Sequence, residues 1–541
     1  MTDLANGLDV AAFNQSPPFA DVNLFTADLS LQEAARRAGV DDAAEGLGAF
    51  GAAYGAAATL DLGRQANEYP PRLRVADAQG DRRDEVEFHP AYHALMAKSM
   101  AAGLHCSAWD GGKAAHATRA ARLYIATQAE SGHMCPTTMT NASVAALKVE
   151  PTLASAWLPR IRSRRYDPSF RPWWEKDGVT IGMGMTERQG GTDVRATITT
   201  ATPRGDAFEI DGHKWFMSAP MSDAFLVLAQ APSGLTCFLV PRFRPDGSRN
   251  SLRFRRLKDK LGNRSNASTE VEFVAAHAAQ VGAGGAGVRT IIAMVQMTRL
   301  DCAVAAAGQM RSALALAYRH VAHRSVFQRR LVDQPVMRAV VVDLALDSEA
   351  ATALALRLAA AFDAAPTDPG EAAYARLLTP AVKYLLCKQV PGFVYEALEC
   401  QGGNGYVEDF PIARLYREAP LNAIWEGSGN VMALDVLRAA TAAPEAATRV
   451  LAALAAEAGP AGAALAEQVE TGWQDRARES RARATTEQLA RLAALAALNV
   501  GQPDLAATYA ATRLAAGPSG WGARDLGDAT DRLLERLAPV A

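Results

Sequence analysis

The chain has 541 residues, 49% of them hydrophobic and 21% charged, which is enough apolar material to bury one or more sizeable cores and excludes a disordered tail. A formal net charge of -2 excludes a global basic field that would draw it onto nucleic acid or an anionic membrane, so any such partner needs a local patch. The six cysteines, Cys106, Cys135, Cys237, Cys302, Cys387 and Cys400, form no CxxC pair and read as buried free thiols rather than a metal or redox site.

The start, MTDLANGLDV, lacks the basic end and apolar core of a secretory signal. No run of ~18 uninterrupted apolar residues suggests a membrane span, and a cytoplasmic protein is expected. Residues 1–180 are expected to form an N-terminal helical domain, because LSLQEAARRAG, AYHALMAKSMAAGL and ATRAARLYIATQAE repeat apolar residues at three- and four-residue spacing. Over 181–284 the pattern changes to short alternating runs: Phe208 and Ile210, then FLVLAQ, TCFLVP, LRFRRLK and TEVEFV. With turn signals at Asp211-Gly212 and Asp246-Gly247, these predict a β domain. Helices return over 285–440. There Leu300, Val304, Ala307, Leu314, Tyr318 and Val321 keep one face apolar, with Arg311 the one interruption, as in a helical bundle. Residues 441–541 read as an appended Ala-rich helical domain, broken at Gly459-Pro460 and Gly517-Pro518.

Five segments carry chemistry. Met183–Asp193, MGMTERQGGTD, has glycines that let backbone amides approach an anion and a Thr192 hydroxyl as a further donor. That suits a pyrophosphate, although a Gly-Gly turn alone is more readily structural. Gly212–Ser218, GHKWFMS, puts Phe216 and Ser218 on one strand face; taken alone, Phe216 is equally a core residue. Arg324-Ser325-Val326-Phe327 offers a guanidinium fork for phosphate, or a solvated charge in the basic run from His323 to Arg330. Gly402–Tyr406, GGNGY, is a further turn, and Asn422–Asn430, NAIWEGSGN, sets Glu426 beside Trp425.

Together these resemble the acyl-CoA dehydrogenase superfamily. The matches are M-T-E running into a Gly-Thr-Asp turn, the K-x-W-I-T strand with Phe216 as its aromatic, R-x-T-F with Val326 for Thr, G-G-x-G-Y with Glu399 for the preceding Gln, and Y-E-G-T with Trp425 for Tyr. The form WEGSGN, with LKDKLGNRSNAS at Leu257–Ser268, FNQ at Phe13–Gln15 and LDVLR at Leu434–Arg438, resembles the AidB branch of adaptive-response alkylation proteins across nearly all of residues 10–440.

The resemblance implies an α+β acyl-CoA dehydrogenase fold: an N-terminal helical domain, a middle β-barrel or sandwich domain and a C-terminal helical bundle, with an extra C-terminal helical domain. It implies FAD as cofactor, with contacts from Met185, Thr186, Gly191 and Thr192, and with Phe216 and Ser218 at the isoalloxazine. Arg324 and Phe327 would reach the FAD of a neighbouring subunit in a homotetramer, Gly402 and Gly403 would approach the adenine half, and Ser428 and Asn430 complete the set. Glu426 takes the place of the base that removes the α proton of an acyl thioester, and the apolar setting beside Trp425 would make it a stronger base. Arg438 stands where the branch has a cation near that base, which would make it a poorer one; on the sequence alone it is equally a helix-surface charge. The expected activity is weak α,β-dehydrogenation of an acyl thioester, linked to alkylation stress.

The alternative is a duplex-DNA-binding protective protein that uses FAD structurally, with little or no turnover. Residues 441–541 hold ten Arg against twelve Asp or Glu, which is a poor phosphate surface overall. The local candidate is Arg476, Arg478, Arg481 and Arg483 near Trp473, interleaved with Asp475 and Glu479 and equally a self-paired helix face.

Overall fold

A computed structural model describes residues 14–41, 45–515, 517 and 519–540, so MTDLANGLDV, Phe13 and Pro518 lie outside the described residues. The chain divides into two compact units.

The helical unit comprises Met1–Leu60, His116–Ala129 and Cys302–Ala541. Its frame is α1 (Leu29–Arg37), α2 (Gly287–His323, counted here from Cys302), α3 (Pro335–Ala364), α4 (Pro369–Glu399) and α5 (Gly429–Ala442). α4 packs on α3 and α5, and α1 on α3. Asp28 caps α1 by accepting the Leu31 amide at 3.1 Å. Its other oxygen accepts from the Tyr124 hydroxyl at 3.1 Å and lies 3.2 Å from Arg311 Nε. The arginine that interrupts the apolar face of α2 is therefore buried against a carboxylate, the condition under which a core tolerates a charge. α2 contains an 18-residue window apolar enough to cross a bilayer, with a mean hydropathy of 1.3, but 67% of that window is buried within the protein.

Residues beyond Thr441 continue the helical unit, where α6 (Arg478–Asn499) packs against α3, α4 and α5. Leu489, Leu492, Leu495 and Leu498 are buried, so this core is continuous with the bundle. Two arginines lock it: Arg513 Nε lies 2.7 Å from Asp347 on α3, and Arg536 lies 2.6 Å from Glu349 on α3 and 3.0 Å from Glu33 on α1. The break at Gly459-Pro460 is present, with Gly459 at φ 72° ending one helix and Pro460 opening the next.

The second unit comprises Asp61–Ala115 and Glu130–Asp301, so the expected N-terminal domain is shared between the two units. It holds β1 (Arg72–Ala76), β2 (Arg82–Glu87), β3 (Ile181–Gly184), β4 (Thr200–Arg204), β5 (Ala207–Ser218), β6 (Ala224–Ala231), β7 (Gly234–Pro241), β8 (Leu252–Leu257) and β9 (Ser268–Val281). The main sheet runs β3-β6-β4-β5-β9-β7, β8 pairs with β9, and β7 returns to β6, so the ring closes. Ile210, Met217, Phe225, Val227, Phe238, Val240, Phe254, Val271 and Phe273 fill it.

Two local expectations are corrected. Residues 72–87 are a hairpin rather than helix: β1 and β2 lie against β8, with Val86 and Leu73 on the barrel core and Asp84 accepting the Phe254 amide at 2.7 Å. Asp211-Gly212 is not a turn but lies inside β5 at a register irregularity, and the turn is at Gly205, φ 64°. Glycine is needed at 212 because a Cβ there would lie 2.6 Å from Thr199 Oγ1.

Candidate active site

In the barrel unit the first two motifs are joined by a buried ion pair. Lys214 Nζ lies 2.7 Å from Glu187 Oε1, with side chains 0% and 1% exposed, and donates to Leu228 O at 2.9 Å. Glu187 also accepts the Thr199 hydroxyl at 2.6 Å and the Ile198 amide at 2.8 Å. Burial would raise its pKa, but the Lys214 and Thr199 hydrogen bonds outweigh burial and hold it at about 2. Burial lowers that of Lys214. Trp215 N donates to Thr186 O at 2.8 Å, so half-buried Met185 and Thr186 are fixed to β5. At Gly191 a Cβ would lie 2.3 Å from Thr186 Oγ1, whereas Gly190, at φ 152°, has open space where a Cβ would stand, and Thr192 is exposed. The pairing of β5 with β9 shifts between Lys214 and Met217, a bulge that presents both Trp215 and Phe216 to Lys258 Nζ, 3.4 Å and 4.6 Å from their ring centroids. Phe216 is 52% exposed and thus not a core residue. Ser218 Oγ lies 3.1 Å from Ser268 Oγ, the end of the LKDKLGNRSNAS segment.

The same unit holds an arrangement that imitates a nucleophilic triad. Ser99 Oγ is 2.8 Å from His133 Nε2, and His133 Nδ1 is 2.7 Å from Glu130 Oε2. All three are buried, and Glu130 also accepts the Ser265 hydroxyl and the Asn67 amide. Although burial opposes it, the His133 hydrogen bonds hold Glu130 well below the usual carboxylate range. A nucleophile closed off from solvent has no substrate, so this network is structural.

In the helical unit Arg324 enters a two-residue hairpin, β10 (Ser325–Val326) and β11 (Arg329–Arg330), whose central residues Phe327 and Gln328 have φ 51° and 60°. Phe327 stands 87% exposed at its tip. Asn14 ties the hairpin down: its O accepts from Arg324 Nη1 at 3.2 Å, its Oδ1 from Ser325 N at 2.8 Å, and its Nδ2 donates to Ser325 O at 2.6 Å. Gln15 Oε1 accepts from Asn404 Nδ2 at 2.9 Å, so residues 14 and 15 connect this hairpin to the GGNGY turn. Gly402, at φ 57° and ψ -139°, occupies a region open essentially to glycine alone, and neither Gly402 nor Gly403 has a neighbour within 4 Å of a built Cβ. Next to them the Gln401 Nε2 is buried with no partner among the described residues.

Glu426 lies in the turn between the short helix Leu421–Ala423 and α5, at φ 59°, followed by Gly427 at φ 98°. A non-glycine residue in this region is held there by its surroundings. Trp425 Nε1 donates to Asn422 Oδ1 at 2.9 Å, and Lys383 Nζ on α4 donates to Asn422 O at 2.9 Å and Gly427 O at 2.8 Å. Sequence reasoning missed Lys383, which reads as one charge in an apolar helix. Ser428 and Asn430 are exposed in the first turn of α5. Arg438, further along α5, is 70% exposed and lies 3.3 Å from Asp435, which Arg376 also meets at 2.9 Å.

The four C-terminal arginines do not form one basic face. Arg481 lies 2.8 Å from Asp475 and Arg483 donates to the Tyr384 hydroxyl at 3.2 Å, leaving exposed Arg476 and Arg478. Alanine at 476 and 478 is expected to leave folding and flavin content unchanged. Weaker duplex binding with a flatter salt dependence would instead place phosphate contacts there.

A helical bundle and a closed β barrel carrying these motifs define the acyl-CoA dehydrogenase class. Family models match in series: adaptive response protein AidB N-terminal domain over 14–168, acyl-CoA dehydrogenase middle domain over 182–276, and acyl-CoA dehydrogenase C-terminal domain over 285–441. Putative acyl-CoA dehydrogenase AidB of Escherichia coli K12 is 49% identical over 430 residues, 79% of each chain. Acyl-CoA dehydrogenase family member 11 of Caenorhabditis elegans is 32% identical over 400 residues, 70% of this chain and 63% of that protein. The solved structure of Caenorhabditis elegans ACDH-11 in complex with C11-CoA superposes with a TM-score of 0.84 at 26% identity, covering 93% of both chains. The chain therefore belongs to the AidB branch of the acyl-CoA dehydrogenase family. FAD is the cofactor of that family. The residues of each unit fit it taken separately: in the barrel unit an open glycine backbone at 190 and an exposed aromatic on a bulge, and in the helical unit open glycines at 402–403 and a buried Gln401 amide with no partner among the described residues.

Proposed function

We propose that the protein is an FAD-dependent oxidoreductase that desaturates an acyl-CoA thioester between Cα and Cβ, with Glu426 as the base. The observation that carries this reading is the left-handed Glu426-Gly427 turn, anchored by hydrogen bonds at Asn422 before it and at Gly427 within it. FAD, when bound, supplies the two-electron acceptor for the β hydride. Glu426 takes the α proton, and the pair from that C–H bond becomes the new double bond as the β hydrogen leaves. Trp425, next to Glu426 in the chain and larger than the tyrosine of the motif it resembles, supports slow turnover. Acyl-CoA as the substrate class is supported by the relative crystallised with C11-CoA. In anaerobic D₂O, deuterium is expected to enter Cα of a saturated acyl-CoA with the parent protein but not with Glu426→Gln; equal incorporation by both contradicts the assignment.

A homotetramer is part of this proposal. Phe327 is almost fully exposed on a two-residue turn, which suits insertion into another subunit. Phe327→Asn, tolerated at positive φ, is expected to give a smaller species in light scattering with reduced FAD retention. A monomeric parent that keeps its FAD contradicts it.

A further inference from the structure

Along α4 the residues from Leu377 to Cys387 are buried, and Lys383 among them is 1% exposed. An ammonium group at a core position is unfavourable unless its donors are satisfied, and an apolar residue of the same length fills the volume without that penalty. Lys383 has no carboxylate partner among the described residues. Nζ instead donates to two main-chain carbonyls, Asn422 O at 2.9 Å and Gly427 O at 2.8 Å. These two carbonyls bracket the chain from 423 through 427, and inside the bracket Trp425 Nε1 donates to the side-chain Oδ1 of Asn422 at 2.9 Å. The far side of the turn is closed as well, since a Cβ on Gly427 would lie 2.6 Å from Met432 Cε. The bracket thus spans the two consecutive left-handed residues that set where the Glu426 side chain leaves the backbone.

We propose that Lys383 is a positioning residue for the base: its ammonium group ties both ends of the Glu426 turn to α4 and so fixes the direction of the carboxylate. The inference rests on Glu426 being the base. A carbonyl-bound lysine also suits this task better than a carboxylate-paired one, because its donors hold main chain, whose geometry is set by the turn, rather than another mobile side chain. Misplacing a reacting group by about 1 Å costs on the order of 10²-fold, whereas substrate binding, which does not depend on the direction of the carboxylate, stays unchanged.

The test compares four full-length, FAD-loaded proteins: the parent, Lys383→Met, Glu426→Gln and the double variant, each mixed anaerobically with a saturated acyl-CoA. Lys383→Met is expected to lower the limiting rate of flavin reduction by about 10²-fold, with the acyl-CoA concentration at half-saturation and the FAD content within about 2-fold of the parent. Added to Glu426→Gln, it is expected to change the residual rate by less than about 2-fold, because the two act through one group. An equal drop in both backgrounds overturns the proposal in favour of a merely structural lysine, and no drop overturns it outright. If Lys383→Met does not fold, Lys383→Arg keeps the cation and two donors and is expected to reduce flavin within about 10-fold of the parent; a folded, FAD-loaded Lys383→Arg slowed by more than about 10²-fold overturns the positioning role. Parent-like reduction by Glu426→Gln overturns the base assignment itself, whereas a slow Glu426→Gln beside a fast Lys383→Met overturns only the role of Lys383.

Discussion

Glu426→Gln is expected to keep its FAD and its fold but to lose flavin reduction by at least ~10²–10⁴-fold, the usual contribution of a general base. The substitution keeps the size of the side chain and its capacity for hydrogen bonding while removing basicity, and the anchors of the turn, Lys383 and Trp425, do not use the carboxylate in their bonds to Asn422 and Gly427. Stopped-flow absorbance with a saturated acyl-CoA reads the effect directly. Arg438→Ala separates two roles for that arginine. A gain in rate near neutral pH means that its charge weakens the base, while an unchanged rate means that it serves only its pair with Asp435 at 3.3 Å. A Glu426→Gln protein that reduces its flavin as fast as the parent places the base elsewhere.

Lys214→Met is expected to lose about 3–5 kcal/mol of stability, the cost of leaving one member of a buried ion pair alone, and to lose FAD with it because Met185, Thr186 and Trp215 are held through the same contact. Urea unfolding followed by tryptophan fluorescence measures the first and the flavin absorbance of the purified protein the second. The sign of the pH dependence follows from Glu187, whose pKa falls from an ordinary 4.5 to about 2 on folding. Its contribution to stability is present in full above the ordinary value and is lost as the pH falls through the folded one. The parent should therefore lose stability from this pair between about pH 4.5 and 2, and Lys214→Met should lack that component.

The order of elements was legible because most of them follow one periodicity. The barrel strands alternate or run apolar, and the bundle helices keep one face apolar. The β1–β2 hairpin escaped because its strands are mostly charged, and only Leu73 and Val86, facing the barrel core, carry a weak alternation. The grouping into two units rests on contacts far apart in sequence, such as Arg536 with Glu33, which no local pattern announces. For the candidate site the motifs single out Glu426, Phe216 and the glycine turns, since each requires a particular residue at a particular spacing. Lys383 and Arg311 were legible only as interruptions of apolar helices. Their partners are two backbone carbonyls in one case and the cap of a distant helix in the other, and neither leaves a mark in the order of residues.

The central claim is that this protein carries out acyl-CoA dehydrogenation, and the most direct measurement is an anaerobic titration of the FAD-loaded protein with saturated acyl-CoAs of graded chain length. At least one of them is expected to bleach the visible flavin absorbance, with one enoyl-CoA formed per flavin reduced. Flavin that stays oxidised with every acyl-CoA, yet is reduced by dithionite, would contradict it and leave a protein that uses its FAD as structure.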